Sequence, residues 1–267
     1  MLIVCNGAPK SGSTWLYNIV ARLRPGAWPD ATFLTRSKKH PTIRPDAVAD
    51  FLATGAFRSA DVITKTHYGN PATRDLLLAS PHTLVLDMER GLRDVLVSSY
   101  YDSCRRDGFV GSFGDYYWFE GRTLADYLMR YHRVWDNGHP QVFRTTFEAL
   151  KTDFVGEARR IAEFLGVTAS DAQLGELEQA TSIGSLREAY KDDPQYATAK
   201  NPFFRKGEIG DWKNHFDARM LADVQRIEAA GLQRFDAREL VNRVKRRAHR
   251  WLPALSPYKA ESKGGAS

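Results

Sequence analysis

Residues 7 to 15 read Gly-Ala-Pro-Lys-Ser-Gly-Ser-Thr-Trp, a set of residue types suited to holding a phosphate. Glycines at 7 and 12 let the backbone approach an anion closely. A helix beginning at Thr14 would then aim free N–H groups and the positive end of its dipole at that anion. A Walker A loop, Gly-x-x-x-x-Gly-Lys-Ser/Thr, has the same glycine spacing, but here Ser13 and Thr14 follow Gly12 and the lysine is Lys10. That displacement points away from phosphoryl transfer with a metal bridging two phosphates.

Three further segments carry usable chemistry. In Ile63-Thr64-Lys65-Thr66-His67-Tyr68, Lys65 and His67 alternate at the end of an apolar run, which puts both on one side of an extended chain. A histidine can take a proton from an alcohol, and a neighbouring lysine can hold developing negative charge; the bland alternative is a surface lysine and a packed histidine. Arg90 sits at the next strand edge and Ser98 a turn or more into the following helix, where a guanidinium and a hydroxyl could grip a phosphate. Phe203-Phe204-Arg205-Lys206-Gly207-Glu208-Ile209-Gly210-Asp211-Trp212-Lys213-Asn214-His215-Phe216 joins two adjacent cations to two flexible glycines, unless it is merely an exposed basic turn.

Short apolar runs alternate with helical periodicity, so the elements holding these residues are those of an α/β fold: a parallel sheet covered by helices. The patterns predict strands over 2–6, 60–65, 83–87 and 141–144, and helices over 14–23, 93–105, 124–136, 154–165, 172–180, 218–230 and 238–251. In open α/β sheets ligands bind beyond the carboxyl ends of the strands, where the 7–14 loop and Lys65 and His67 would lie. Two stretches read as long loops, 25–47 and 107–122; the second carries Phe109, Phe113, Tyr116, Tyr117, Trp118 and Phe119, as an acceptor wall or as core cover. Residues 1–251 read as one domain and 252–267, with Pro253, Pro257, Gly264 and Gly265, as a mobile tail.

The 267 residues are 43% hydrophobic and 26% charged, and 38 basic against 32 acidic residues leave a net charge of +6, which suits an anionic ligand. No apolar stretch approaches the length of a membrane span and the chain starts on its first strand, so a cytoplasmic location is expected. Cys5 and Cys104 read as reduced thiols without metal-ligand spacing. No nucleic-acid-binding motif is present, and no nucleic-acid partner is expected.

The strings GAPKSGSTW, TKTH, RGLRDVLVSSYY and FRKGEIGDWKNHF, in this order across positions 7 to 216, resemble the cofactor-binding segments of cytosolic-type sulfotransferases, which use 3′-phosphoadenosine-5′-phosphosulfate (PAPS). The resemblance implies a P-loop-type three-layer α/β/α domain. It implies that Lys10, Ser11, Gly12, Ser13 and Thr14 hold the 5′-phosphosulfate and that Trp15 stacks on the adenine. Arg90, Ser98, Arg205, Lys206 and Gly207 would hold the 3′-phosphate, and Phe147 and Thr181 would line the adenine pocket. His67 would be the general base, with Lys65 at the sulfuryl group and Lys10 at the bridging oxygen, and no metal. Four departures stand out: Phe147 occupies a usual tyrosine position, Ile183 a usual aromatic one, Tyr68 rather than proline follows Lys-Thr-His, and Asp217, Ala218 and Ala222 break the family's short dimer motif.

The expected reaction is sulfuryl transfer to a hydroxyl or amine of a small-molecule, carbohydrate or lipid-linked acceptor, releasing adenosine 3′,5′-bisphosphate (PAP). A P-loop kinase would need a lysine after Gly12 and a Mg²⁺ ligand pair. A non-catalytic nucleotide-binding module would not need His67 beside Lys65. Val241, Val244, Ala248 and Trp251, spaced helically among Arg and Lys, would let 238–251 lie on an anionic membrane or pack on its own domain.

Overall fold

The computed structural model describes residues 1–35, 40–193, 196, 202–232, 241, 244 and 258. In chain order its elements begin β1 (Leu2–Gly7), α1 (Ser13–Leu23), α2 (Val48–Thr54), β2 (Val62–Lys65), α3 (Pro71–Leu78), β3 (Thr83–Glu89), α4 (Leu92–Arg106) and α5 (Phe113–Tyr116). They continue α6 (Arg122–Trp135), β4 (Val142–Thr146), α7 (Phe147–Thr152), α8 (Phe154–Phe164), α9 (Asp171–Ala180), α10 (Ile183–Ala189) and α11 (Ala218–Ala230). The chain forms two compact units: Met1–Gly91 with Arg130–Ala197, and Leu92–Met129 with Thr198–Ser267.

The first unit holds an all-parallel sheet in the order β2-β1-β3-β4. The chain leaves β1 for β2 on one side and returns to β3 on the other, so the loop after β1 opens at the point where strand order reverses. Every residue of β1 is buried, as a strand covered on both faces requires. Ile3 and Cys5 point into a cluster with Leu16, Ile19 and Val20 of α1, Phe154 and Ile161 of α8, and Leu165 just beyond its end. Asn6, of opposite parity, donates to the Tyr131 hydroxyl at 2.6 Å, so the last turns of α6 cover the other face. Helices therefore flank both faces of the sheet, the α/β/α arrangement expected.

All four strands and six of the seven helices fall where the periodicity places them, with ends shifted by one or two residues. The helix over 238–251 and the tail lie outside the described residues, except for Val241 and Val244, both exposed, and Tyr258, whose hydroxyl donates to Glu120. The basic residues at 36–39 also lie outside them.

The second unit corrects one expectation. The aromatic stretch is helical: Ser112 and Asp115 form a reciprocal capping box at the start of α5, and Tyr117–Gly121 continues as a π-helical turn into α6. Phe113, Tyr116 and Tyr117, at i, i+3 and i+4, lie on one face of this helical stretch, and all three are buried together with Phe109, which precedes it. Phe109, Phe113 and Tyr116 surround Tyr100 with ring centroids 5.7 to 6.1 Å away. Four of the six rings expected as acceptor wall or core cover are thus core. In α11, Arg122 and Tyr117 both converge on Asp223, at 2.7 and 2.9 Å.

Candidate active site

In the first unit, the loop between β1 and α1 is as tight as its glycines suggest. A Cβ on Gly7 would stand 2.8 Å from the Met88 carbonyl oxygen, and one on Gly12, at φ 105, 3.1 Å from the Phe147 ring. No side chain caps α1, whose Ncap is Gly12 itself, so its first N–H groups are left for another acceptor. Lys10 adopts φ 69, a left-handed conformation that costs a non-glycine residue of order 1 kcal/mol and that concentrates at functional sites. Ser11 braces the turn through its N–H and hydroxyl, both donating to the Ala8 carbonyl at 3.1 and 2.7 Å. A loop with closely approaching backbone, an uncapped helix start and a nearby lysine fits a phosphate or sulfate ester.

At the end of β2 the two expected partners meet: Lys65 Nζ lies 2.8 Å from His67 Nε2. His67 Nδ1 lies 2.6 Å from the Gly7 carbonyl oxygen. A carbonyl only accepts, so Nδ1 carries the proton and the Nε2 lone pair faces the lysine. The bland reading inverts here, since Lys65 is 7% exposed and the histidine is open to solvent. Burial first, then the charge of Lys10, brings the Lys65 pKa down to about 7. Desolvation of its ring nitrogens, both of which face protein atoms, then the Lys65 cation, hold the His67 imidazole below the ordinary range despite the Gly7 bond, so the ring is neutral.

Beside the loop, Phe147 brings together residues expected at the nucleotide. Its ring lies 5.3 Å from that of Trp15 and 4.2 Å beneath the Arg90 guanidinium. The Trp15 indole N–H is buried and bonds to nothing among the described residues. Glu148, which sequence reasoning assigned no role, accepts from the Gly91 N–H at 3.0 Å and so ties Arg90's loop to α7. Thr181 is buried at the end of α9, with its hydroxyl donating to the Leu177 carbonyl, and Ile183 begins α10. Ser13 and Thr14 are buried in the first turn of α1. No group of three or more His, Cys, Asp or Glu side chains forms a metal-ligand cluster among the described residues.

The second unit orders its own basic turn. Gly207 and Gly210 take φ 65 and 85, conformations that glycine adopts at little cost. Asp211, nearly fully buried, accepts from Arg205, from Lys206 at 2.8 Å and from Asn214 at 3.1 Å. Burial works to raise its carboxyl pKa, and the bonds from Lys206 and Arg205 override this and hold it far below the usual range. Asp94 of α4 anchors the same turn, accepting from the Gly210 and Trp212 N–H groups at 2.7 and 3.0 Å. Both carboxylates stand inside the recognised strings, yet their roles were not legible there. Ser98 is half-buried on α4, and Asp217 caps α11 by accepting from Met220 N–H.

Comparison with known proteins identifies the family and the fold. Residues 2–236 match the sulfotransferase domain family, across both units. Cytosolic sulfotransferase 6 of Arabidopsis thaliana is 26% identical over 258 residues, covering 86% of this chain and 78% of that protein. Mouse sulfotransferase SULT7A1, solved with PAP, has the same fold, with a TM-score of 0.64 at 20% identity over 91% of this chain and 88% of that one. Retinol dehydratase, solved with retinol and PAP, superimposes with a TM-score of 0.64 at 17% identity over 88% and 82% of the two chains. The match to the sulfotransferase domain over residues 2–236 of a chain built on an all-parallel α/β sheet places it in the sulfotransferase domain family, and it is a sulfotransferase.

Proposed function

We propose that this enzyme transfers the sulfuryl group of PAPS to the hydroxyl, or amine, of a small-molecule acceptor, with His67 as general base. The observation that carries the reading is the contact of Lys65 Nζ with His67 Nε2 at 2.8 Å, while the Gly7 carbonyl holds the other ring nitrogen. That arrangement leaves one lone pair on an accessible neutral imidazole. PAPS supplies an activated sulfuryl group and a stable phosphate leaving group. Lys10, Ser11, Gly12, Ser13 and Thr14 would hold its 5′-phosphosulfate end, Lys10 offsetting charge on the bridging oxygen and Lys65 charge on the sulfuryl oxygens. Trp15, Phe147 and Thr181 are proposed at the adenine. Arg90, Ser98, Arg205, Lys206 and Gly207 are proposed at the 3′-phosphate on the strength of their motifs.

The acceptor class follows the same logic at lower resolution. Retinol dehydratase holds retinol in its solved complex, which favours an apolar small molecule over a carbohydrate or lipid-linked acceptor here. Exposure of Val241 and Val244 supports a peripheral membrane role for 238–251.

His67→Ala tests the assignment. Turnover with PAPS should fall by about 10²- to 10⁴-fold, the usual worth of a positioned base. PAP should still raise the melting temperature of the variant as it does the parent, and ATP with Mg²⁺ should raise neither. Near-parental turnover in the variant would remove His67 from the chemistry.

A further inference from the structure

His67 stands two residues beyond the last paired residue of β2, open to solvent, where nothing in strand geometry fixes an imidazole. What fixes it lies on the neighbouring strand. Asn6, fully buried at the end of β1, accepts through Oδ1 from the Thr66 hydroxyl at 2.9 Å and from the Tyr68 N–H at 2.8 Å. These two residues bracket His67 in sequence. The residue after Asn6 is Gly7, whose carbonyl receives the His67 Nδ1 proton. We infer that Asn6 is a positioning residue for the base: one side-chain amide clamps the chain on both sides of His67 to the strand end that orients its ring.

The amide has one satisfiable orientation. Its Nδ2 donates to the Asp87 carboxylate at 2.8 Å and to the Tyr131 hydroxyl at 2.6 Å. A flip would set the amide oxygen against the carboxylate and the NH₂ against the Tyr68 N–H, leaving buried groups unsatisfied. Asp87 and Tyr131 thus hold Oδ1 toward the clamp. The Trp135 indole N–H, bonded to the Tyr68 carbonyl at 2.6 Å, secures the same backbone from the other side. Asn6, Thr66 and Asp87 are each fully buried, a setting in which such bonds are strong and rigid. A displacement of about 1 Å at a catalytic group can cost around 10²-fold in rate, so this network bears on turnover without touching a reactant.

The inference rests on His67 being the base, and the experiment separates the two. Histidine ¹⁵N labelling of the full chain should show His67 protonated at Nδ1 in the parent, and Asn6→Ala should lose that signal or average it between tautomers. PAP affinity should stay within about threefold, while kcat with PAPS and 4-nitrophenol falls roughly 10- to 100-fold. In a His67→Ala background the same substitution should change residual turnover by less than about twofold, because a residue acting through the base has nothing left to position. Thr66→Val, which removes one arm of the clamp at nearly constant volume, should show the same changes more weakly and stands in if Asn6→Ala does not fold. An unaltered His67 spectrum in the folded variant, or a full additional loss in the His67→Ala background, would overturn the inference. If 4-nitrophenol is not turned over, the spectrum and PAP affinity decide. A fully active His67→Ala enzyme would instead strike the base assignment and leave the spectrum of the clamp intact.

Discussion

Lys65 and Lys206 are two lysines proposed for the same anionic ligand, and they are held in opposite ways. Lys65 is buried, its partner is a neutral imidazole, and burial and the Lys10 charge bring its pKa down to about 7. Lys206 is exposed and bonded to Asp211, which raises its pKa. Lys65 has no carboxylate partner among the described residues, so a sulfate ester bound beside it would relieve a cost already present in the free enzyme. Lys206 carries its counterion with it, so the turn is shaped in advance and a ligand bound there would have to share Asp211's cations. Preorganisation through strain and preorganisation through compensation thus coexist in one chain.

Parallel substitutions should separate the two lysines. Lys65→Met is expected to lower kcat by about 10²-fold, the scale of one lost transition-state contact, while Lys206→Met weakens PAP by less than about tenfold and leaves kcat near parental. Steady-state kinetics with calorimetry of PAP binding would show this, and equal kcat losses in both would erase the contrast. Asp211→Asn tests compensation. Removing a buried carboxylate that pairs two cations should cost about 2 kcal/mol, a fall of roughly 4 to 8 °C in melting temperature for a chain of this size. An unchanged melt would mean that the turn is held by Asp94 alone.

The smallest effect is a proton. Because the Lys65 pKa is depressed from 10.5 to about 7, the folded free enzyme binds fewer protons than the unfolded chain between those values. Its contribution to stability is therefore present above pH 10.5 and is lost as pH falls toward 7. An anion beside Lys65 restores the charged form, so PAPS binding at pH 8 without acceptor should take up between about half and one proton. Calorimetry in buffers of different ionisation enthalpy measures that number, and zero uptake would place Lys65 away from the anion.

Long periodic helices and short apolar strands were legible, and short helices were not. Helix α3 carries an Asn70 cap and Pro71 at its first position, but its eight residues are too few for periodicity to stand out. The aromatic helix was missed for another reason: Gly108, Gly111 and Gly114 read as loop, while the Ser112 and Asp115 capping box and the buried ring face outweigh them. At the site, Lys65 and His67 were visible as a pair because alternation along an extended chain predicts one side for both, although His67 lies beyond the end of β2. Asp211 was visible as a letter in a motif, but nothing local says that it gathers Arg205 and Lys206.

By itself the sequence determined which groups are at hand: a glycine-spaced loop with its lysine at position 10, a Lys-Thr-His strand end and a basic glycine turn. Those are local patterns, carried by spacing within a dozen residues. The tertiary structure decided which lysine is buried and which is compensated, why the histidine is the accessible member of its pair, and that Asn6 clamps Thr66 and Tyr68 from 60 and 62 residues away while Asp87 orients it from 81. Burial and long-range hydrogen bonds set charge and orientation, and neither leaves a period in the chain.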